Sequence, residues 1–236
     1  MTVSHRLALS VPRSHRGALV GLSELDEGTF SAISEELDSP GPTTSLGVLR
    51  GRLRSAAATN QGLDADVLLE ALLGASGVTI WRGSSSSEVA TAIAEFPELN
   101  VPPERREPLT YRLQRLLDSE SLQTIAKGLD VLTEHERVFL KSRIVTDIRP
   151  AYAGSDISDP SAVVLVHTLR LDVQESGHMK SIYVAMDEAD LRQLRTVLDR
   201  EADKATGLRR RIEMTELPLL DFEDDDDGNA VEMIAQ

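Results

Sequence analysis

Apolar residues in this chain follow one period up to about residue 142 and another beyond it, and this single change constrains the fold more than any motif. From Leu22 to Leu37 the positions Leu22, Leu25, Phe30, Ile33 and Leu37 keep near-helical spacing until Pro40-Gly41-Pro42 interrupts it. Thr44 or Ser45 can cap a second helix carrying Leu46, Leu49, Leu53 and Ala57. Asp64 opens a third with Val67, Leu68, Ala71 and Leu72, which Gly74 and Gly77 are expected to end. Val78 to Trp81 fits either a buried helix end or a strand stub, Gly83 to Ser87 reads as a loop, and Ser87 is placed to cap Glu88 to Phe96. Pro97, Pro102, Pro103 and Pro108 mark an internal connection. Beyond it, Leu109, Leu113, Leu116 and Leu117, and then Leu122, Ile125, Leu129 and Leu132, resume the helical period. Thr133 with Glu136 has the form of a capping box for a further turn or two through Leu140.

After residue 142 alternation takes over. Ile144, Thr146 and Ile148 alternate with Val145, Asp147 and Arg149, the odd residues from Val163 to Val173 alternate with Val164, Val166, Thr168, Arg170 and Asp172, and Ile182, Val184 and Met186 continue the period, which predicts three strands with one buried face. Gly154 to Pro160 and Glu175-Ser176-Gly177-His178 are too short for crossovers, so the strands are expected to be antiparallel neighbours. Asp187 with Asp190 starts a long helix whose stripe is Leu191, Leu194, Val197, Leu198, Ala202, Ala205 and Leu208. The expected fold class is α+β. Its organisation is a flexible N-terminus over residues 1–21, a helical bundle over 22–142, three strands plus a helix over 143–213, and an acidic disordered tail over 214–236.

Charge and composition remove several functions. The chain carries 39 acids against 25 Lys and Arg, a net charge of −14, which opposes non-specific binding to nucleic acid or anionic membranes. Eight of those acids, and no base, lie after Glu213, so the tail supplies over half of the charge. Aromatic residues are 3% of the chain, too few for base-stacking platforms, and with no cysteine there is no thiolate chemistry and no disulfide. No apolar run has membrane-spanning length, and a cytoplasmic location is the expectation.

The candidate chemistry is thin. Around His135 the Thr-Glu-His-Glu-Arg run lacks a second histidine four residues on, where Phe139 stands, so no metal or other cofactor is expected. Ser84 to Ser87 lack both the P-loop and the nucleophile-elbow pattern. Asp147, Arg149, Asp156 and Asp159 read as turn residues and a surface pair, and His167 as a structural imidazole on an apolar strand face. Arg209-Arg210-Arg211 complements the carbonyl end of the last helix.

The order of a leucine-rich helical domain, three strands and a C-terminal amphipathic helix over Arg143 to Leu208 resembles the COMM-domain proteins. The residues that carry the likeness are Thr146-Asp147-Ile148-Arg149, Val163 to Val173, and Ile182 to Met186 running into Asp187-Glu188-Ala189-Asp190-Leu191, with Ile148 where that family usually has a Trp. The resemblance implies an intertwined dimer with a scaffolding, non-enzymatic role in protein complexes. The residues point the same way, because Val164, Val166, Tyr183 and Ala185 leave apolar area on the sheet face expected to lie away from the helix. In the tail, Leu217, Leu219, Leu220 and Phe222 form a candidate docking segment for a protein partner. Two other classes of function remain open at this level: a DNA-associated factor using Arg50, Arg52 and Arg54, and an enzyme using Asp147, Arg149 and His167.

Overall fold

The structure is a computed structural model that describes residues 9–58, 60, 62–153, 159–175 and 177–222. It divides into two units, a helical one comprising residues 1–134 with 220–236, and a β–α one comprising 135–219.

The helical unit contains α1 (Arg13–Glu24), α2 (Glu27–Glu36), α3 (Leu46–Ala57), α4 (Ala65–Arg82), α5 (Ser86–Ala94), a 3-10 turn (Pro97–Leu99), α6 (Pro103–Leu117) and α7 (Glu120–Thr133). At its centre α4 packs against α1, α3, α5, α6 and α7. It is apolar on nearly every side, as a helix surrounded by others must be, and Leu68, Leu69 and Leu72 are fully buried. Asp64 caps it through the amides of Asp66 and Val67, at 3.0 and 3.1 Å, and Gly83 ends it in the left-handed region at φ 64°. The α2–α3 connection is tied to the start of α7: Asp38 Oδ1 accepts from the Ser119 hydroxyl at 2.9 Å and from the Ser121 amide at 3.0 Å.

Burial acts to raise the Asp38 pKa, but the Ser121 amide and hydroxyl and the Ser119 hydroxyl outweigh it and hold the carboxyl below its ordinary value of 3.8. A lowered folded-state pKa means that the Asp38 contribution is complete above 3.8 and is lost as pH falls through the folded-state value. Asp38→Ala is therefore expected to cost about 1 kcal/mol at pH 7 and less at pH 3, below the ordinary value. Urea unfolding of both proteins at the two pH values checks this; an equal cost at both would refute the assignment.

The β–α unit contains β1 (Arg137–Ala151), β2 (Ala162–Glu175), β3 (His178–Met186) and α8 (Glu188–Ile212), with the antiparallel sheet order β1-β2-β3. Register pairs Ile148 with Leu165, Thr146 with His167 and Ile144 with Leu169 across β1 and β2. Across β2 and β3 it pairs Leu169 with Val184 and Leu171 with Ile182. A bulge at Leu140 shifts the ladder between Phe139 and Lys141. Asp187 caps α8 in a capping box with Asp190, as expected. The α+β class and the antiparallel meander are as the two periods predict.

Several local expectations are corrected. Residues 13–24 form α1 rather than a flexible N-terminus, because Ala18, Leu19 and Leu22 reach the core, and Asp26 then starts α2 by accepting from Thr29 at 2.9 Å. Gly74 and Gly77 do not stop α4, since burial outweighs the roughly 1 kcal/mol that each glycine costs a helix, and Val78 to Trp81 complete it. Ser85, rather than Ser87, makes the capping box with Glu88. The proline-rich connection is shorter than expected, because Pro103 occupies the first turn of α6 and Pro108 lies on its exposed side. Residues 137–142 are strand rather than helix, drawn into the ladder opposite Val173, Gln174 and Glu175, where Arg137 Nε meets Glu175 Oε1 at 2.6 Å. The unit boundary accordingly falls at 134/135 rather than 142/143.

Candidate protein-interaction surfaces

Directly opposed residues of antiparallel strands share a face, so the register sorts the sheet completely. Val164, Val166, Tyr183 and Ala185 do share one face, together with Lys141, Arg143, Asp147, Arg149, Arg170 and Asp172. Charge divides the apolar area there. Asp172 is buried and accepts from Ser181 Oγ at 2.6 Å and Arg170 Nε at 2.7 Å, contacts that hold its carboxyl below the ordinary value, while Arg170 lies over the Tyr183 ring. The other face carries Ile144, Ile148, Val163, Leu165, Leu169, Leu171, Ile182 and Val184, with Thr146 and His167 hydrogen-bonded across it at 2.8 Å. Its charged members among the paired residues are Arg137, Glu175 and Lys180, gathered at one end, where Glu175 accepts from Arg137 Nε and Lys180 Nζ, each at 2.6 Å. This second face is the more continuous apolar surface. The alternation already placed these residues together, but the sequence reading assumed that α8 would cover them.

It does not cover them fully. Ile144, Ile148, Leu165 and Val184 are exposed, Ile148 by 69%. No residue of α8 is buried, and Val197, Leu198 and Leu208 stand open on its stripe. β3 pairs with β2 from His167 to Glu175, so among the described residues the β1–β2 ribbon from Asp147 to Ala151 and from Ala162 to Val166 continues with no third strand. Two-stranded ribbons are marginal in water, and β1 and β3 both present sheet edges.

The four candidate tail residues separate into two pairs. Leu217 and Leu219 are exposed within the β–α unit. Leu220 and Phe222 belong to the helical unit, where both are half-buried against its core. Between them Asp221 makes a parallel bridge to Ser45: its amide donates to Thr44 O at 2.9 Å, and its carbonyl accepts from the Leu46 amide at 2.9 Å. The side chains of Leu220 and Phe222 lie over Gly128 of α7. The tail expectation is thereby corrected for residues 220–222, which return to the helical unit, while residues 223–236 lie outside the described residues.

The residues named for other chemistry are placed as follows. Arg50 and Arg54 meet Asp66 at 3.4 and 2.8 Å, and Arg52 donates to the carbonyls of Leu37 and Gly41. The guanidinium groups of the DNA-associated reading therefore have intramolecular partners. Asp147 and Arg149 stand on the sheet face opposite His167, so the strand does not assemble the three into one site. His135 and His178 are exposed, and Asp156 is outside the described residues. His15 carries no local motif in the sequence. The structure buries it on α1 with Nε2 3.7 Å from Glu70 Oε2 on α4, beside a cavity of about 170 Å³ lined by Val11, Leu19, Ala71, Val78 and Ile93. No sequence-local signal could have paired residues 55 positions apart.

Among the described residues no group of three or more His, Asp or Glu side chains could hold a metal ion, and no helix is long and apolar enough to cross a membrane. No protein-family model matches the chain, and no curated protein is significantly similar to it.

Proposed function

We propose that this chain is a homodimeric, non-enzymatic protein–protein interaction module of the cytoplasm, a scaffold in which the β–α unit is completed by the same unit of a second copy. The observation that carries the reading is the missing core. Among the described residues of that unit, the buried apolar side chains are Leu140, Val173 and Met186. Burying each contributes roughly 1.5–3 kcal/mol, whereas ordering each backbone residue costs about 1–2 kcal/mol. Three strands and a 25-residue helix need more burial than this. The apolar stripe of α8 and the Ile144–Leu165–Val184 face offer it. A two-fold pairing of identical faces is the simplest closed arrangement, and the resemblance of residues 143–208 to COMM-domain proteins implies the same. The charges on that face, Arg137, Glu175 and Lys180, pair with one another at one end of it, which keeps the charge cost of self-pairing low although the whole chain carries −14.

Light scattering of full-length protein at micromolar concentration is expected to give twice the 25.8 kDa chain mass. A monomer at that concentration would overturn the reading.

A further inference from the structure

The geometry points to a peptide-binding groove on the helical unit, between the segment leading into α3 and the middle of α7, which takes an extended acidic segment of a partner protein with apolar residues two apart. The chain's own Leu220-Asp221-Phe222 is a competing intramolecular ligand in this groove. It rests on contacts within the helical unit and is independent of the dimer.

The receiving edge is built without the segment it receives. Thr43 donates its amide to Ser121 Oγ at 2.9 Å, and Ser121 is in turn held by Asp38. The Ser45 amide donates to Thr43 Oγ1 at 3.2 Å, and Arg52 grips the same connection through the carbonyls of Leu37 and Gly41, at 3.0 and 2.8 Å. Residues 43–45 are thus fixed in place by α3 and α7 themselves. A pre-organised edge loses little entropy when an added strand pairs with it.

What is added has the features of strand addition: main-chain hydrogen bonds on one side, and alternate side chains that enter a pocket on the other. Asp221 supplies both backbone bonds, to Thr44 and Leu46, and its side chain is exposed. Leu220 and Phe222, two positions apart, turn to the same side and reach Gly128. A Cβ at Gly128 would collide with Leu220 Cδ1 and lie 2.8 Å from Phe222 Cζ, so glycine is what opens the notch. The contact consists of two backbone bonds and two half-buried side chains, and it is preceded by the exposed Leu217 and Leu219. So small a contact, reached through an exposed approach, can be exchanged for the same pattern from another protein. The acidic character assigned to the partner follows from the occupant, in which Asp221 sits between the two anchors and Glu223 to Asp227 follow them.

The test uses the full chain and a fluorescent peptide of residues 216–227. In the Leu220→Ser/Phe222→Ser chain the groove is vacated, and this chain is expected to bind the peptide at least tenfold tighter than wild type does, by fluorescence anisotropy. Adding Gly128→Leu, which fills the notch with a good helix former, is expected to abolish that gain. Equal binding to wild type and the vacated chain, or a gain that survives Gly128→Leu, would overturn the proposal. Hydrogen exchange of wild type gives a second readout that no variant's folding can confound. The amides of Leu46 and Asp221 are expected to exchange at least a hundredfold faster than those of Leu49 and Leu53; protection equal to that core would make residues 220–222 a fixed part of the bundle and overturn it.

Discussion

Ile144→Asp or Leu198→Asp is expected to convert the proposed dimer into a monomer, raising its dissociation constant by a hundredfold or more. Both side chains are exposed within a single chain, so neither substitution creates a cavity there. In the proposed dimer both would sit in the contact, and a carboxylate brought into an apolar interface without a partner costs several kcal/mol. Because the β–α unit has so few buried apolar side chains of its own, its melting is expected to shift to higher temperature as wild-type concentration rises, and to lose that dependence in the variants. Val164→Asp supplies the comparison. Val164 lies on the charge-divided face with Arg149 and Asp147, where a further carboxylate meets cations, and a smaller loss of affinity is expected. Sedimentation equilibrium of the three variants decides between the faces; a larger effect at Val164 than at Ile144 would move the contact to the Val164, Val166, Tyr183 and Ala185 surface.

Leu72→Ala is expected to destabilise the helical unit by about 3 kcal/mol, in the range for truncating a fully buried leucine. Leu72 lies on α4, the helix that packs against α1, α3, α5, α6 and α7, so the surrounding helices cannot all close on the space left. Trp81, on the same helix, is the useful contrast. It is the single Trp of the chain and is 78% exposed, so Trp81→Ala is expected to change stability by less than about 0.5 kcal/mol despite removing a larger side chain. Urea unfolding followed by far-UV circular dichroism checks both. The two units need separate transitions in the fit, since a single two-state description does not hold for a chain with two compact units. A loss below 1 kcal/mol at Leu72 would mean that α4 is not the centre of the bundle.

The period of the apolar residues was enough to read the α+β class, the short connections gave the strand order, and Asp187 with Asp190 gave the capped start of α8, because each is settled within a few neighbouring residues. The same period misled where local cost and tertiary gain oppose each other. Gly74 and Gly77 are poor helix residues, yet α4 continues through them because its neighbours enclose it. Thr133 and Glu136 suit a helix start, yet Arg137 to Leu140 are strand because Val173, Gln174 and Glu175 lie opposite. Alternation also sorted Val164 and Val166 from Leu165 and His167 correctly, without showing which face stays open, since that depends on where α8 lies.

The candidate sites follow the same division. The apolar residues of the sheet and the Leu-Asp-Phe segment were legible as surfaces in need of a partner. That Leu220 and Phe222 find one on the helical unit was not, since the notch is at Gly128 and the backbone bonds are at Thr44 and Leu46, two places far apart in sequence. By itself the sequence determined the order of a helical part, three strands and a last helix, because backbone preference and apolar period act over a few residues. The tertiary structure alone decided which faces are covered and where the tail returns, because burial is settled by groups that the chain brings together from a distance.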